Sequence, residues 1–180
     1  AFWNQFRPGC DEHYLLHVMR GDPSFIPGLD YVALQDGRLI GNIVYAKGRV
    51  VDARDRSREV ITFGPVSVLP EYQKRGVGAR LIFHTLDLAR RLGFGAVLIL
   101  GHPDYYLKFG FRRARDFGIR TKDGDTFDPF MALELQPGSL AGLEGGVFYD
   151  SDVYNVKPEA AAEFDLAFPY KEKKVTDTQL

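Results

Sequence analysis

A single cysteine, Cys10, is all the thiol chemistry this 180-residue chain has. It excludes an intrachain disulfide and suits a reducing, cytoplasmic setting. No apolar run nears the ~18 residues of a membrane-spanning helix. No signal-peptide pattern, low-complexity tract or internal repeat stands out. Neither sign of charge is in excess: 23 Lys and Arg meet 24 Asp and Glu, for a net charge of −1. No global field therefore favours nucleic acid or an anionic membrane. What remains is 45% hydrophobic and 26% charged, ordinary for a soluble globular protein, and the length suggests one domain.

The chain is organised around residues 59–93. An apolar, β-branched run, Val60-Ile61-Thr62-Phe63, resumes after Gly64-Pro65 as Val66-Ser67-Val68-Leu69. Pro70 turns it into a basic, glycine-rich loop, Gln73-Lys74-Arg75-Gly76-Val77-Gly78. An amphipathic helix follows, with Val77, Leu81, Leu88 and Leu92 on one face beside Ile82, Leu86 and Ala89. Asp87 is placed to pair with Arg91, and Gly93 stands where a left-handed C-cap belongs. A strand, a glycine loop and a helix in that order make an anion site, because the first helix amides lack partners and the dipole adds positive charge. Gly76 and Gly78 permit close backbone approach; Lys74, Arg75 and Arg80 add full charge. A plain helix start with surface cations is the other reading of the same residues. The dinucleotide loop is excluded by Leu81 in place of its third glycine, and the P-loop by Ala79-Arg80 after Gly78.

Gln73-x-x-Gly76-x-Gly78, preceded by Val68-Leu69-Pro70-Glu71-Tyr72, resembles the acyl-CoA loop of the GNAT superfamily of N-acetyltransferases. A second match follows: the strand-like Ala96–Leu100, then Tyr105-Tyr106-Leu107-Lys108-Phe109-Gly110-Phe111, similar to the family's Tyr-x-x-x-Gly-Phe ending. The resemblance covers about residues 30–135. Gly101–Tyr106 and the tail from about Ala161 to Lys174 further resemble a bacterial subgroup of predicted acetyltransferases. The resemblance implies an α/β (mixed α+β) fold, a central twisted sheet with helices on both faces. It also implies that Val60–Leu69 and Ala96–Leu100 run parallel across a right-handed helical crossover. These two strands splay where the cofactor enters. The cofactor is acetyl-CoA as cosubstrate, with no metal. Its expected contacts are Val66, Val68, Gln73, Lys74, Arg75, Gly76, Val77, Gly78, Ala79 and Arg80.

Ahead of the central unit, Ala1–Phe6 reads as the end of a helix. Family folds begin with a strand and a helix before this point, so the first strand is expected to be missing from the chain. That leaves an open edge near Tyr31–Leu34, prone to pair with another chain as in a homodimer. Asp11 caps a helix to Arg20, on which His13 and His17 stand at metal-ligand spacing; with no third ligand in view they read as surface or packing histidines. Tyr31–Leu34 and Leu39–Tyr45 flank Asp36-Gly37 as a hairpin. Gly48–Arg58 reads as an exposed, charged turn. Asp116–Arg120 and Phe130–Leu135 read as a further hairpin, Gly146–Tyr149 and Val153–Val156 as two short strands, Pro158–Phe168 as a helix, and Lys171–Lys174 as a solvated tail. Residues 1–137 form the acetyltransferase domain and 138–180 an extension packed on it.

The reaction implied is attack of a primary amine, on a small molecule or a peptide, upon a thioester. A lysine-like amine has a pKa of ~10.4 and must lose a proton; a thiolate leaving group, with a pKa of ~8.5, gains from protonation. Tyr106 holds the family's tyrosine position and is the expected acid, or else a packing residue that orders the thioester; Tyr105 is expected to point elsewhere. Glu59 is the candidate base, with water-mediated deprotonation as the alternative and Glu134 and His102 behind them. Val68 offers its amide to the oxyanion. A non-catalytic acyl-CoA-binding module or sensor is the competing class, and an enzyme with a longer acyl chain or a nonamine acceptor the third.

Overall fold

The structure is a computed structural model and describes residues 2–4 and 7–175. Its spine is an antiparallel pair, β2 (Arg38–Val51) and β3 (Ser57–Val68). β1 (Tyr31–Gln35) folds back on the first half of β2 through Asp36-Gly37. Both turn residues have positive φ, 51° and 78°, as a tight hairpin requires. Beyond β3 lie β4 (Ala96–Leu100), β7 (Phe130–Glu134) and β5 (Arg112–Arg113); beyond the second half of β2 lie β8 (Val147–Tyr149) and β6 (Arg120–Thr121). The eight strands form one mixed sheet in the order β5-β7-β4-β3-β2-β8-β6, with β1 on β2.

Burial on both faces follows from strand alternation. Ile43, Tyr45, Ile61, Phe63, Val97 and Ile99 point to α2 (Val77–Arg91) and its Leu81, Ile82, Leu86 and Ala89. Val44 and Ala46 point the other way, to Met19 on α1 (Glu12–Met19). Ala96, Leu98, Phe130 and Ala132 share that second face with Val50, Val60 and Phe148. The Tyr45 hydroxyl meets Thr85 Oγ1 at 2.9 Å, and Thr85 donates its one proton to the Leu81 carbonyl at 2.8 Å. Tyr45 is therefore the donor of that buried pair. The apolar stripe of α2 is turned slightly from its expected position: Thr85 is fully buried, whereas Leu92 is 52% exposed. Asp87 and Arg91 pair on its outer face.

Several elements differ from expectation. The strands run deeper into 48–58 than its charge suggests, because alternate residues such as Val50 and Val60 are buried. The turn narrows to Asp52–Arg56, where the Asp52 carboxylate accepts from the Arg54 and Arg56 amides at 2.8 and 3.0 Å. Asp116–Arg120 does not pair with Phe130–Leu135. Phe130, Met131, Ala132 and Leu133 are all buried, as suits a central strand, and β7 lies between β4 and β5. Arg120–Thr121 joins β8 in parallel instead. Residues 152–154 form a turn of 3-10 helix, since Ser151 Oγ accepts from the Val153 amide and competes with strand pairing.

Asp11 stands at the N-cap of α1, but its carboxylate binds Arg7 at 2.7 Å instead of helix amides. His13 and His17 pack against Phe164 of α4 (Pro158–Asp165). His13 Nε2 also lies 2.7 Å from Asp165 Oδ1, and among the described residues no group of three His, Cys, Asp or Glu is placed to hold a metal. The 171–174 tail is exposed, yet the Glu172 carbonyl accepts from Trp3 Nε1 and Asn4 Nδ2. Of the expected N-terminal helix end, Trp3 and Asn4 form a turn; Ala1, Gln5 and Phe6 lie outside the described residues. No helix of the described residues is long and apolar enough to cross a membrane.

Candidate active site

β3 and β4 run parallel but share one register pair, Ile61 with Val97. Past it the strands part, and the end of β3 keeps a free edge. A bulge precedes that edge: one β2 residue, Val44, faces two of β3, Gly64 and Pro65. Proline, with no amide hydrogen, is tolerated at a bulge. The extra residue shifts the alternation, so Val66 joins Ile61 and Phe63 on the α2 side.

The free edge carries usable backbone. The Leu69 amide donates to the Ile40 carbonyl of β2 at 2.8 Å. Because successive residues of an extended chain bond to opposite sides, the Val68 amide and carbonyl face away from β2, into the splay. Gln73 Nε2 donates to that carbonyl at 3.2 Å.

The chain then turns through a short 3-10 helix, Pro70–Tyr72, into the glycine loop. Lys74 and Gly76 take positive φ, 59° and 83°, and Gly76 is the N-cap of α2. The first helical bond there is from the Arg80 amide to the Gly76 carbonyl, at 3.0 Å. The amides of Val77, Gly78 and Ala79 precede it and have no helical carbonyl to bind. A cavity of about 390 Å³ lies against the loop, lined by Val68, Gln73, Lys74 and residues 76–79. Arg75 stands outside this lining with its guanidinium over the Tyr72 ring, and Arg80 is exposed outside it too.

Tyr72, Tyr105 and Lys108 complete the lining, and none of the three was among the expected contacts. A Cβ on Gly78 would meet Tyr105 Oη at 3.1 Å, so glycine leaves room for that hydroxyl. Lys108 Nζ sits 3.9 Å from the Tyr105 ring centre. The signal in the sequence was their i, i+3 spacing on a short helical turn, which puts both on one side.

Tyr105 and Tyr106 end α3 (Pro103–Tyr106) and serve different cavities. Tyr106 lines a separate cavity of about 590 Å³ with Phe63, Gly64, Pro65 and Val66 of β3 and Leu100 of β4. Its ring packs among Phe63, Phe109 and Phe111. It also lies directly on Gly101, where a Cβ would stand 2.1 Å from the ring. Among the described residues no group hydrogen-bonds its hydroxyl. Burial first, and the neighbouring Tyr105 second, push its pKa up to about 12.

Glu59 lies apart from both cavities. It opposes Arg49 near the start of β3 and binds Lys47 at 3.0 Å. Seven residues separate it from Val66, roughly 23 Å of extended chain. The Glu134 carboxylate accepts from the Leu140 amide at 2.8 Å, and His102 is an exposed residue at the N-cap of α3.

Comparison with known proteins gives consistent matches. The acetyltransferase (GNAT) family profile matches residues 2–111. The uncharacterized N-acetyltransferase YhbS of Escherichia coli K12 is 30% identical over 77% of this chain and 80% of its own. YjhQ of the same strain, also an uncharacterized N-acetyltransferase, is 36% identical over 50% of this chain and 49% of its own. The crystal structure of E. coli YhbS in complex with CoA superposes with a TM-score of 0.71 at 26% identity, covering 81% of this chain and 78% of that one. A GNAT family acetyltransferase from Brucella melitensis, in complex with acetyl-CoA, gives 0.55 at 26% identity over 71% and 70% of the two chains.

Proposed function

The chain belongs to the acetyltransferase (GNAT) family, an acyltransferase, and on that premise we propose that it moves an acetyl group from acetyl-CoA to a primary amine of a small molecule or peptide. The observation that carries this reading is the parting of β3 and β4 after Ile61 and Val97, with one cavity at the glycine loop and another at Tyr106. The pyrophosphate binds the amides of residues 77–79, with Lys74 and Lys108 as nearby cations. The pantetheine arm follows the free edge of β3 past Val68 and Val66, and the thioester reaches Tyr106. Residues 1–137 act as the transferase domain, and 138–180 as an extension of it that contributes β8 to the sheet.

The chemistry balances with no further reactant. The amine nitrogen bonds to the acetyl carbon, the carbon–sulfur bond breaks, and coenzyme A leaves as the thiolate, which takes a proton from solvent. The amine proton goes to solvent, since Glu59 is out of reach. The Val68 amide faces the splay and stabilises the oxyanion. Tyr106 donates a hydrogen bond to the departing sulfur. With a pKa near 12 against ~8.5 for a thiol, complete proton transfer from the phenol is uphill, so the hydrogen bond itself is its contribution.

Incubation with acetyl-CoA and a panel of amines, followed by free-thiol release, tests the reading. Binding of acetyl-CoA without thiol release from any amine would make the protein a binding module. The pH dependence is a second test. The reactive amine is the neutral form, so kcat/KM rises with pH toward ~10.4. A phenol with a raised pKa keeps its proton to higher pH, and Tyr106 is a donor until about 12. No falling limb from Tyr106 is therefore expected up to pH 10.5. A limb centred near 10 that disappears in Tyr106→Phe would mean an unburied, ordinary phenol.

A further inference from the structure

Resting on the acetyl-transfer reading, we propose that Gly101 is a positioning residue of the reaction: its missing side chain fixes where Tyr106 presents its hydroxyl to the thioester. A Cβ at Gly101 would stand 2.1 Å from Cε2, 2.5 Å from Cδ2 and 3.1 Å from Cζ of the Tyr106 ring. At no other described glycine would a Cβ stand closer than 2.7 Å to a non-neighbouring atom. The backbone does not call for glycine here. Gly76, Gly93 and Gly110 have the positive φ that favours glycine, and Gly101 does not. What calls for it is the close approach of the ring. Tyr105 gives the contrast: a Cβ on Gly78 would meet only the hydroxyl tip of that tyrosine, at 3.1 Å, and none of its ring carbons.

Both sides of the Gly101–Tyr106 contact are held. The Gly101 amide donates to the Pro129 carbonyl at 2.8 Å, which fixes the end of β4 beside β7. The His102 carbonyl accepts from the Tyr105 and Tyr106 amides at 3.0 and 3.3 Å, and Pro103 opens α3 at its first turn. That single turn brings residue 106 back over residue 101. Away from Gly101 the ring meets Phe63, Phe109 and Phe111, all of them buried. A close-packed interior gives little way. A methyl at position 101 therefore drives the ring toward its open side, the cavity that Tyr106 lines. Regaining ordinary contact from 2.1 Å takes a shift of about 1 Å or more. A misplacement of about 1 Å at a reacting centre costs up to ~10²-fold in rate.

Gly101→Ala is expected to lower kcat about 10²-fold. KM for acetyl-CoA should change by less than about 3-fold, since the glycine loop is untouched. A double-mutant cycle with Tyr106→Phe is the readout that a merely structural role would not move. With the hydroxyl gone there is no donor left to misplace, so Gly101→Ala in that background should cost less than about 3-fold more. Full additivity of the two losses, or parental kcat in Gly101→Ala, overturns the proposal. The crystal structure of Gly101→Ala gives an answer independent of turnover. The Tyr106 ring should stand displaced toward the cavity, and an unmoved ring overturns the proposal. Should Gly101→Ala not fold, Gly101→Ala/Tyr106→Val lacks every ring atom that the methyl strikes. Folding regained supports the contact, and folding not regained overturns it. If no amine releases thiol even with the parent protein, the acetyl-transfer reading itself falls. The position of the ring in the variant then decides separately whether Gly101 holds Tyr106.

Discussion

Tyr106→Phe is expected to lower kcat by about 10²–10³-fold while acetyl-CoA affinity and stability stay near those of the parent. The magnitude is that of removing one well-placed donor to developing charge. The selectivity follows from where the residue sits. Its ring is held by Phe63, Phe109, Phe111 and the bare backbone of Gly101, all of which the phenylalanine ring still meets. Its hydroxyl has no partner among the described residues, so deleting it orphans nothing. Tyr105→Phe is the control. That hydroxyl lies over Gly78, at the glycine-loop cavity, so its loss should affect KM for acetyl-CoA more than kcat. Near-normal turnover by Tyr106→Phe in a working amine assay would reduce Tyr106 to a packing residue.

Gly76→Val is expected to abolish most acetyl-CoA binding. Ligand at about 100 times Kd adds roughly 2.7 kcal/mol, a Tm rise of about 5–11 °C for a chain of this size. The parent should show that rise and the variant should not, each measured from its own ligand-free Tm. A Cβ on Gly76 would meet nothing within 4 Å, so a clash inside the protein is not the cause. The cause is the left-handed backbone, φ 83°, which a β-branched residue resists, together with a side chain intruding where phosphate must approach the amides. An undiminished ligand shift in the variant would place the pyrophosphate elsewhere.

The parts legible in the sequence were those with local signals. Helix 77–91 announced itself by its periodicity and by glycines at both ends, and the hairpin at Asp36-Gly37 by its turn chemistry. The parallel pair followed from the helix that crosses between its strands, and its splay from the family resemblance. Pairing partners were harder, because nothing local in Arg120–Thr121 or Phe130–Glu134 names the strand it joins; only burial on both faces of Phe130–Leu133 decides it. The same limit hid the cavity at Tyr106, whose lining from α1, β3, residues 121–127 and β8 is brought together only by the folded sheet. Charge alone misled at 48–58, where buried Val50, and Val60 just beyond the stretch, tie both strands into the core. Glu59 was read from its place at the start of the central strand, and the fold adds what sequence could not show, its pairing with Lys47 and its separation from Val66 by seven residues of extended chain.

One edge of β2 serves two partners, β1 along its first half and β8 along its second. The β8 pairing spans only three residue pairs, Arg49–Val51 with Val147–Tyr149, and joins segments about a hundred residues apart. The opposite edge of β2 is bound by ten pairs to β3. Few ladder bonds and a long intervening chain make β8 an inexpensive place for the native state to open locally. Phe148 and Asp150 belong to the wall of the cavity at Tyr106, whereas the glycine loop hangs from β3 and α2. Local opening of β8 is thus directed to the cavity at Tyr106. On the proposed acetyl-transfer reading, that opening gives a product an exit separate from the glycine loop.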